Sequence, residues 1–105
     1  MTKVDVAAGA CGFSAAIRAQ KGTNRTVTIS VETDCEMVRK MVADITSLSR
    51  RDALTGILSN PVYLAAGRHL KHAACPVPAA VLKALEVEAG LNVKKDATIT
   101  FEKDG

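Results

Sequence analysis

The spacing of apolar residues changes once along this chain, and that change limits what it can fold into. In RTVTISVET, residues 25 to 33, Val27, Ile29 and Val31 alternate with Thr26, Thr28 and Ser30, the two-residue repeat of a strand with one buried face. Directly afterwards Val38, Met41, Val42 and Ile45 recur at steps of three and four, the repeat of a helix with one apolar stripe. Each element must bury its apolar side against the other, so the minimal solution is a layer of helices on a layer of sheet.

The flanking segments extend both layers. Val4 and Val6 alternate with Lys3 and Asp5, AAGACG interrupts them, and an extended run resumes from Phe13 to Gln20 before the turn residues KGTN. These segments predict an antiparallel hairpin or three-stranded meander. Thr33 and Glu36 have the Thr-x-x-Glu form of a capping box, with Thr33 as the cap and Cys35 in the first turn. SLSRRDAL predicts a short helix from Ser49 to the region of GILSN. Asn60 with Pro61 opens another that runs to the region of Lys71. The last helix starts at CPVP, carries Val77, Val81, Leu85 and Glu88 along one line, and stops at Gly90. ATITFEK, with Ile99 and Phe101 inward, predicts a closing strand added to the first sheet. The expectation is one α+β domain over residues 1–105: an antiparallel sheet of the N-terminal hairpin or meander plus a C-terminal strand, with about four helices on one face.

Composition narrows the function. Hydrophobic residues make up 48% of the 105 residues and the mean hydropathy is +0.12, so the chain folds. Aromatic residues are only 3%, namely Phe13, Tyr63 and Phe101, which argues against nucleic-acid modules that stack bases on aromatic rings. The net charge of +3 is spread over Lys21, Arg25, Arg39, Lys40, Arg50, Arg51, Arg68, Lys71, Lys94 and Lys95, as on a solvated face rather than a phosphate-binding patch. No run approaches the ~18 apolar residues of a membrane span. The three cysteines, an odd number and widely spaced, do not suit a disulfide framework. MTKVDVAAGACGFSAA is too short before Cys11 for a signal peptide and is interrupted by Asp5. A cytoplasmic protein is expected.

Each cysteine falls at a junction. Cys11 lies between Gly9 and Gly12 where strand segments break, Cys35 at the strand-to-helix junction, and Cys75 before the proline that starts the last helix. Thiols at helix starts face unpaired N–H groups and partial positive charge, which favour the thiolate as nucleophile or metal ligand. If the helix starts point toward the Gly9–Gly12 turn, the three sulfurs converge. His69 and His72 are three apart, as are His72 and Cys75. Three thiolates and an imidazole suit tetrahedral zinc or an iron–sulfur cluster. The plainer alternative is three small core residues and two histidines at a helix end.

The order ACG, strand-turn-strand, a cysteine opening a helix, DAL, and a histidine and cysteine before AAVLKALEVEAG resembles the iron–sulfur cluster assembly scaffolds of the NifU and IscU type. The chain is also similar to small single-domain proteins of anaerobic microbes that have no established activity. The scaffold resemblance implies a SufE- or NifU-like fold and a metal or cluster held by Cys11, Cys35 and Cys75, with His72 ahead of His69 as fourth ligand. It further implies an iron–sulfur or zinc cofactor, sulfur-transfer or cluster-acceptor proteins as partners, and carriage rather than enzymatic turnover. Phe13 stands where the scaffolds have an aspartate that governs release, and Ala74 where their histidine precedes the third cysteine. A site so altered is expected to hold its metal rather than release it. Two other functions fit the residues: a persulfide relay through one reactive cysteine, Cys35 or Cys75, and an interaction module without a metal. In the module the stripe Val62, Ala65, Ala66 and Leu70 would meet a partner or a second copy in a homodimer.

Overall fold

The computed structural model describes residues 1–103. Four antiparallel strands form one sheet in the order β1-β2-β3-β4, with β1 at Thr2–Ala7, β2 at Ser14–Lys21, β3 at Thr26–Thr33 and β4 at Ser47–Ser49. The register pairs Val4 with Ile17 and Ile17 with Val31. Side chains alternate across a strand, so Ala15, Ile17 and Ala19 of β2 and Val27 and Ile29 of β3 all face one side, where they are buried. Lys3, Asp5, Thr28, Ser30 and Glu32 occupy the other side in water. The β2–β3 turn is held by the Thr26 amide donating to the Thr23 carbonyl at 3.4 Å, with Asn24 and Arg25 both left-handed (φ 62° and 61°). Two successive positive φ angles match the right-handed twist of the flanking strands.

Three α-helices cover the apolar side: α1 at Glu36–Ala43, α2 at Pro61–His69 and α3 at Val77–Glu88. Val38, Met41 and Val42 of α1 are buried, as is Ile45 just beyond it. Thr33 does not cap α1. Cys35 is the N-cap residue, and the Thr33 hydroxyl instead accepts from the Cys35 amide at 3.2 Å and donates to the Ser14 carbonyl at 2.6 Å. Thr33 is still paired in β3, so its hydroxyl serves the strand junction.

Between α1 and α2 the short helix expected from Ser49 forms only as a 3-10 turn, with Ser49 as its N-cap, and does not run on to GILSN as one helix. Ser47–Ser49 pairs with β3 as the fourth strand, followed by two 3-10 turns at Arg50–Leu54 and Ile57–Ser59. Leu48 is buried against the sheet, whereas neither 3-10 turn buries a residue, so no apolar stripe rewards a longer helix here. With three α-helices, the helical layer is smaller than predicted.

α3 packs on β1 and β2 and runs against the direction of β1. Its last residue sets this polarity: Glu88 accepts from the Thr2 hydroxyl at 2.7 Å and from the Lys21 amide at 2.9 Å, with the N-terminal ammonium at 3.7 Å. Gly90, at φ 76°, closes the helix as expected, and the Leu91 amide reaches back to the Glu86 carbonyl at 2.8 Å. The Thr2 hydroxyl first, and then the Lys21 amide, hold the Glu88 carboxyl below its ordinary value of 4.5 against the opposing effect of burial. A carboxyl lowered by folding stabilises the fold fully above its unfolded pKa, and that contribution is lost as pH falls through the folded pKa. Urea titrations at pH 7 and at successive steps below 4.5 should therefore show a stability decline that Glu88→Gln makes shallower.

The closing strand does not form. From Asn92 to Lys103 the described residues are exposed and belong to no strand or helix, with Ile99 at 88% and Phe101 at 97% exposure. Residues 92 to 97 border Lys83, Glu86 and Val87 of α3, leaving the outer edge of β1 bare. Alternation is a local pattern, and it yields a strand only where an edge and an apolar face receive it.

Candidate functional site

Cys11 and Cys35 flank one end of the sheet, and the start of α3, which Cys75 precedes, is directed toward it. β1 finishes at Ala7 opposite Ser14, and β3 finishes at Thr33 opposite Ala15. The turn carrying Cys11 crosses this end, closed by the Gly12 amide on the Gly9 carbonyl at 2.9 Å and the Ala8 amide on the Phe13 carbonyl at 3.0 Å. Gly9 and Gly12 have φ of 88° and 78°, angles that side chains rarely adopt. Cys35 follows β3 by two residues, and the Thr33 hydroxyl ties its amide to the first residue of β2. Because α3 ends at Thr2, its start lies toward the opposite, cysteine-bearing end, with Cys75 two residues before Val77.

The three thiols are free and differ in setting. Cys11 is exposed on its turn, Cys35 is 7% exposed within the core, and Cys75 is half-buried against that core. His72 is exposed, and its carbonyl accepts from the Cys75 amide at 3.3 Å, forming a turn before α3. Among the described residues, no group of three or more His, Cys, Asp or Glu side chains stands close enough to hold a metal ion. As placed, Cys11, Cys35, Cys75 and His72 form no ligand set, so they do not fit a tetrahedral zinc or a cluster in this conformation.

His69 has a different role. Its Nε2 lies 2.7 Å from Asp44 Oδ2, and Arg68 Nη2 reaches the same oxygen at 3.2 Å. The His69 hydrogen bond is the main influence holding the Asp44 carboxyl below its ordinary value. This cluster fastens the end of α2 to the end of α1, away from the cysteines, and the two basic groups also suit the negative end of α2.

Beside the cysteine-bearing end, the open face of the sheet has a shallow depression of about 430 Å³ lined by Asp5, Val6, Ser14, Ala15, Ala16, Glu32, Thr33 and Asp34. The register explains it: Asp5 pairs with Ala16 and Ala16 with Glu32, so two carboxylates flank a small side chain. Three acidic groups line this end, and Arg18 Nη2 stands 3.7 Å from Glu32 Oε1, offsetting part of that charge. Neither the depression nor its acidity was evident from the sequence, since it depends on strand register.

The stripe Val62, Ala65, Ala66 and Leu70, which suits either a partner surface or, as is commoner for such a stripe, the core, takes the core role. Val62 and Ala65 are fully buried, and Ala66 and Leu70 pack against the same core. The exposed apolar residues lie elsewhere, at Leu54, Ile57 and Leu58 around the 3-10 turns and at Leu64 of α2.

Among the described residues, no helix is long and apolar enough to cross a membrane. No curated protein and no solved structure matches the chain. A family model described as a family of unknown function, DUF6951, matches residues 2–101, a span that includes every strand and helix, all three cysteines and most of the exposed tail. With nearly the whole sequence matched, the chain belongs to the DUF6951 family.

Proposed function

We propose that the domain is a small carrier of a thiophilic metal ion or iron–sulfur cluster, taken up at the cysteine-bearing end, and that it turns over no small substrate. The observation supporting this is topological: Cys11 and Cys35 lie at one end of the sheet, and α3, which Cys75 precedes, starts toward that end. The neighbouring carboxylates Asp5, Glu32 and Asp34 favour the approach of a cation. Since the thiols stand apart, uptake has to rearrange the end, and the Gly9–Gly12 turn bearing Cys11 is the exposed element able to move. Metal affinity is then coupled to that rearrangement. His72, next to Cys75 in the chain, is the fourth donor, and hand-off is to a cluster-acceptor or sulfur-transfer protein.

Anaerobic purification followed by iron, sulfide and zinc analysis tests the proposal. One metal ion or cluster per chain is expected after reconstitution, with Cys11→Ser, Cys35→Ser and Cys75→Ser each reducing occupancy by roughly tenfold or more. Substoichiometric metal in the unaltered protein overturns it. The exposure of Cys11 favours one alternative, a persulfide relay, and shifts that role away from Cys35, which is buried. Rapid alkylation of Cys11 alone, unaffected by added zinc, would support the relay.

A further inference from the structure

We propose that the tail segment Ala97–Glu102 is a fifth strand that pairs with the outer edge of β1 in a second copy of this chain, exchanged reciprocally in a two-fold dimer. This inference is independent of the cysteine-bearing end. The sheet has two edges, and they are unequal: β4 is three residues long, whereas β1 offers six. A long bare edge presents unpaired N–H and C=O groups to any extended segment that reaches it. The tail is such a segment, with Ile99 and Phe101 alternating with Thr98, Thr100 and Glu102 and almost wholly exposed.

The apolar layer is also unfinished at that edge. Ala15, Ile17 and Ala19 of β2 are at most 5% exposed, but Val4 and Val6, in the next strand on the same side, are only half-buried. An added strand sets Ile99 and Phe101 beside Val4 and Val6 on the helix side, and Thr98, Thr100 and Glu102 beside Lys3 and Asp5 on the solvent side. The first residues of β1 are already pinned through Thr2 to Glu88. The edge is therefore preorganised to receive a strand.

A second copy is the occupant because the tail leaves its own edge bare while bordering Lys83, Glu86 and Val87 of α3. Reciprocal exchange uses both tails and both β1 edges, and as a two-fold pairing it closes at two copies. Each Phe101 brings about 150–250 Å² of surface. With Ile99 and two backbone ladders, the exchange approaches the roughly 1,200–2,000 Å² of a stable interface. The family match continues to residue 101, so the tail belongs to the shared domain rather than being an appendage.

Light scattering after size exclusion, paired with amide hydrogen exchange of Lys3 to Ala7, tests this on the full chain. A dimer is expected, with exchange at β1 slowed on the order of tenfold or more relative to an Ile99→Asp, Phe101→Asp double variant. That variant should be monomeric and keep the helical circular dichroism signal and the melting transition of the core, losing at most the contribution of the six-residue tail strand, because neither residue contributes to the core. A monomeric unaltered chain overturns the proposal, whether β1 is protected by its own tail or exchanges freely. A dimer that survives the double substitution also overturns it.

Discussion

Leu85→Ala is expected to remove about 3 kcal/mol of stability, within the 2–5 kcal/mol range for emptying a buried leucine site. Leu85 is completely buried where α3 crosses β1 and β2, and it shares that space with Ile17 and Val81, which are equally buried. Leu85 is among the largest fully buried side chains of the molecule, and packed surroundings relax only partially into the space that a truncation leaves. For a domain with about 5–15 kcal/mol in total, the melting temperature should fall by roughly 12–24 °C. Circular dichroism during urea and thermal unfolding measures both quantities. Leu58→Ala, at a site 95% exposed, is the control; it should stay within about 0.5 kcal/mol of the unaltered chain.

Asn60→Ala should cost about 2–4 kcal/mol, more than an ordinary helix cap. Its Oδ1 accepts from the Val62 amide at 2.9 Å, while its Nδ2 donates to the Asp52 carbonyl at 2.8 Å and the Thr55 carbonyl at 3.0 Å. The residue is 2% exposed. Losing the cap costs about 1 kcal/mol, and each carbonyl deprived of a buried donor adds up to about 1–3 kcal/mol, less where water enters. Asn60→Asp separates the two roles. It keeps the acceptor for Val62 but turns a second oxygen toward two carbonyls, so it should destabilise at least as much as alanine. If aspartate proves nearly neutral in urea unfolding, capping is the main role and the two donated bonds contribute little.

These two residues also show how much of the fold could be read from the chain. Asn60 with Pro61, and Val77, Val81 and Leu85 in one line before Gly90, were legible because caps and periodicity are local. The same holds for β2 and β3, whose alternation agrees with the register. ATITFEK was misread because its alternation resembles that of β3, but whether it is a strand depends on an edge that its own chain does not supply. SLSRRDAL was read too far: a helix does open after Ser49, but only as a 3-10 turn over Arg50–Leu54, which buries no residue and stops at Thr55 short of GILSN. Of the candidate site, the placement of Cys11, Cys35 and Cys75 at junctions was legible. The burial of Cys35, the acidic wall set by the pairing of Asp5, Ala16 and Glu32, and the capture of His69 by Asp44 were not. Each of these depends on residues far apart in sequence.

The order of the sheet has a consequence for synthesis. Each strand of the four-stranded sheet pairs with its neighbour in the chain, so the first 49 residues contain all four and can pair while the remainder is still being made, by connections that fold quickly. The helix that covers β1 and β2 ends at residue 88. Until it leaves the ribosome, Ala15, Ile17 and Ala19 face water. The nascent chain thus passes through an interval, on the order of seconds at ordinary elongation rates, when its most sheet-prone half is paired but uncovered. Chaperone demand should be concentrated in that interval, and variants that weaken α3 should show their greatest defect as insoluble material during expression.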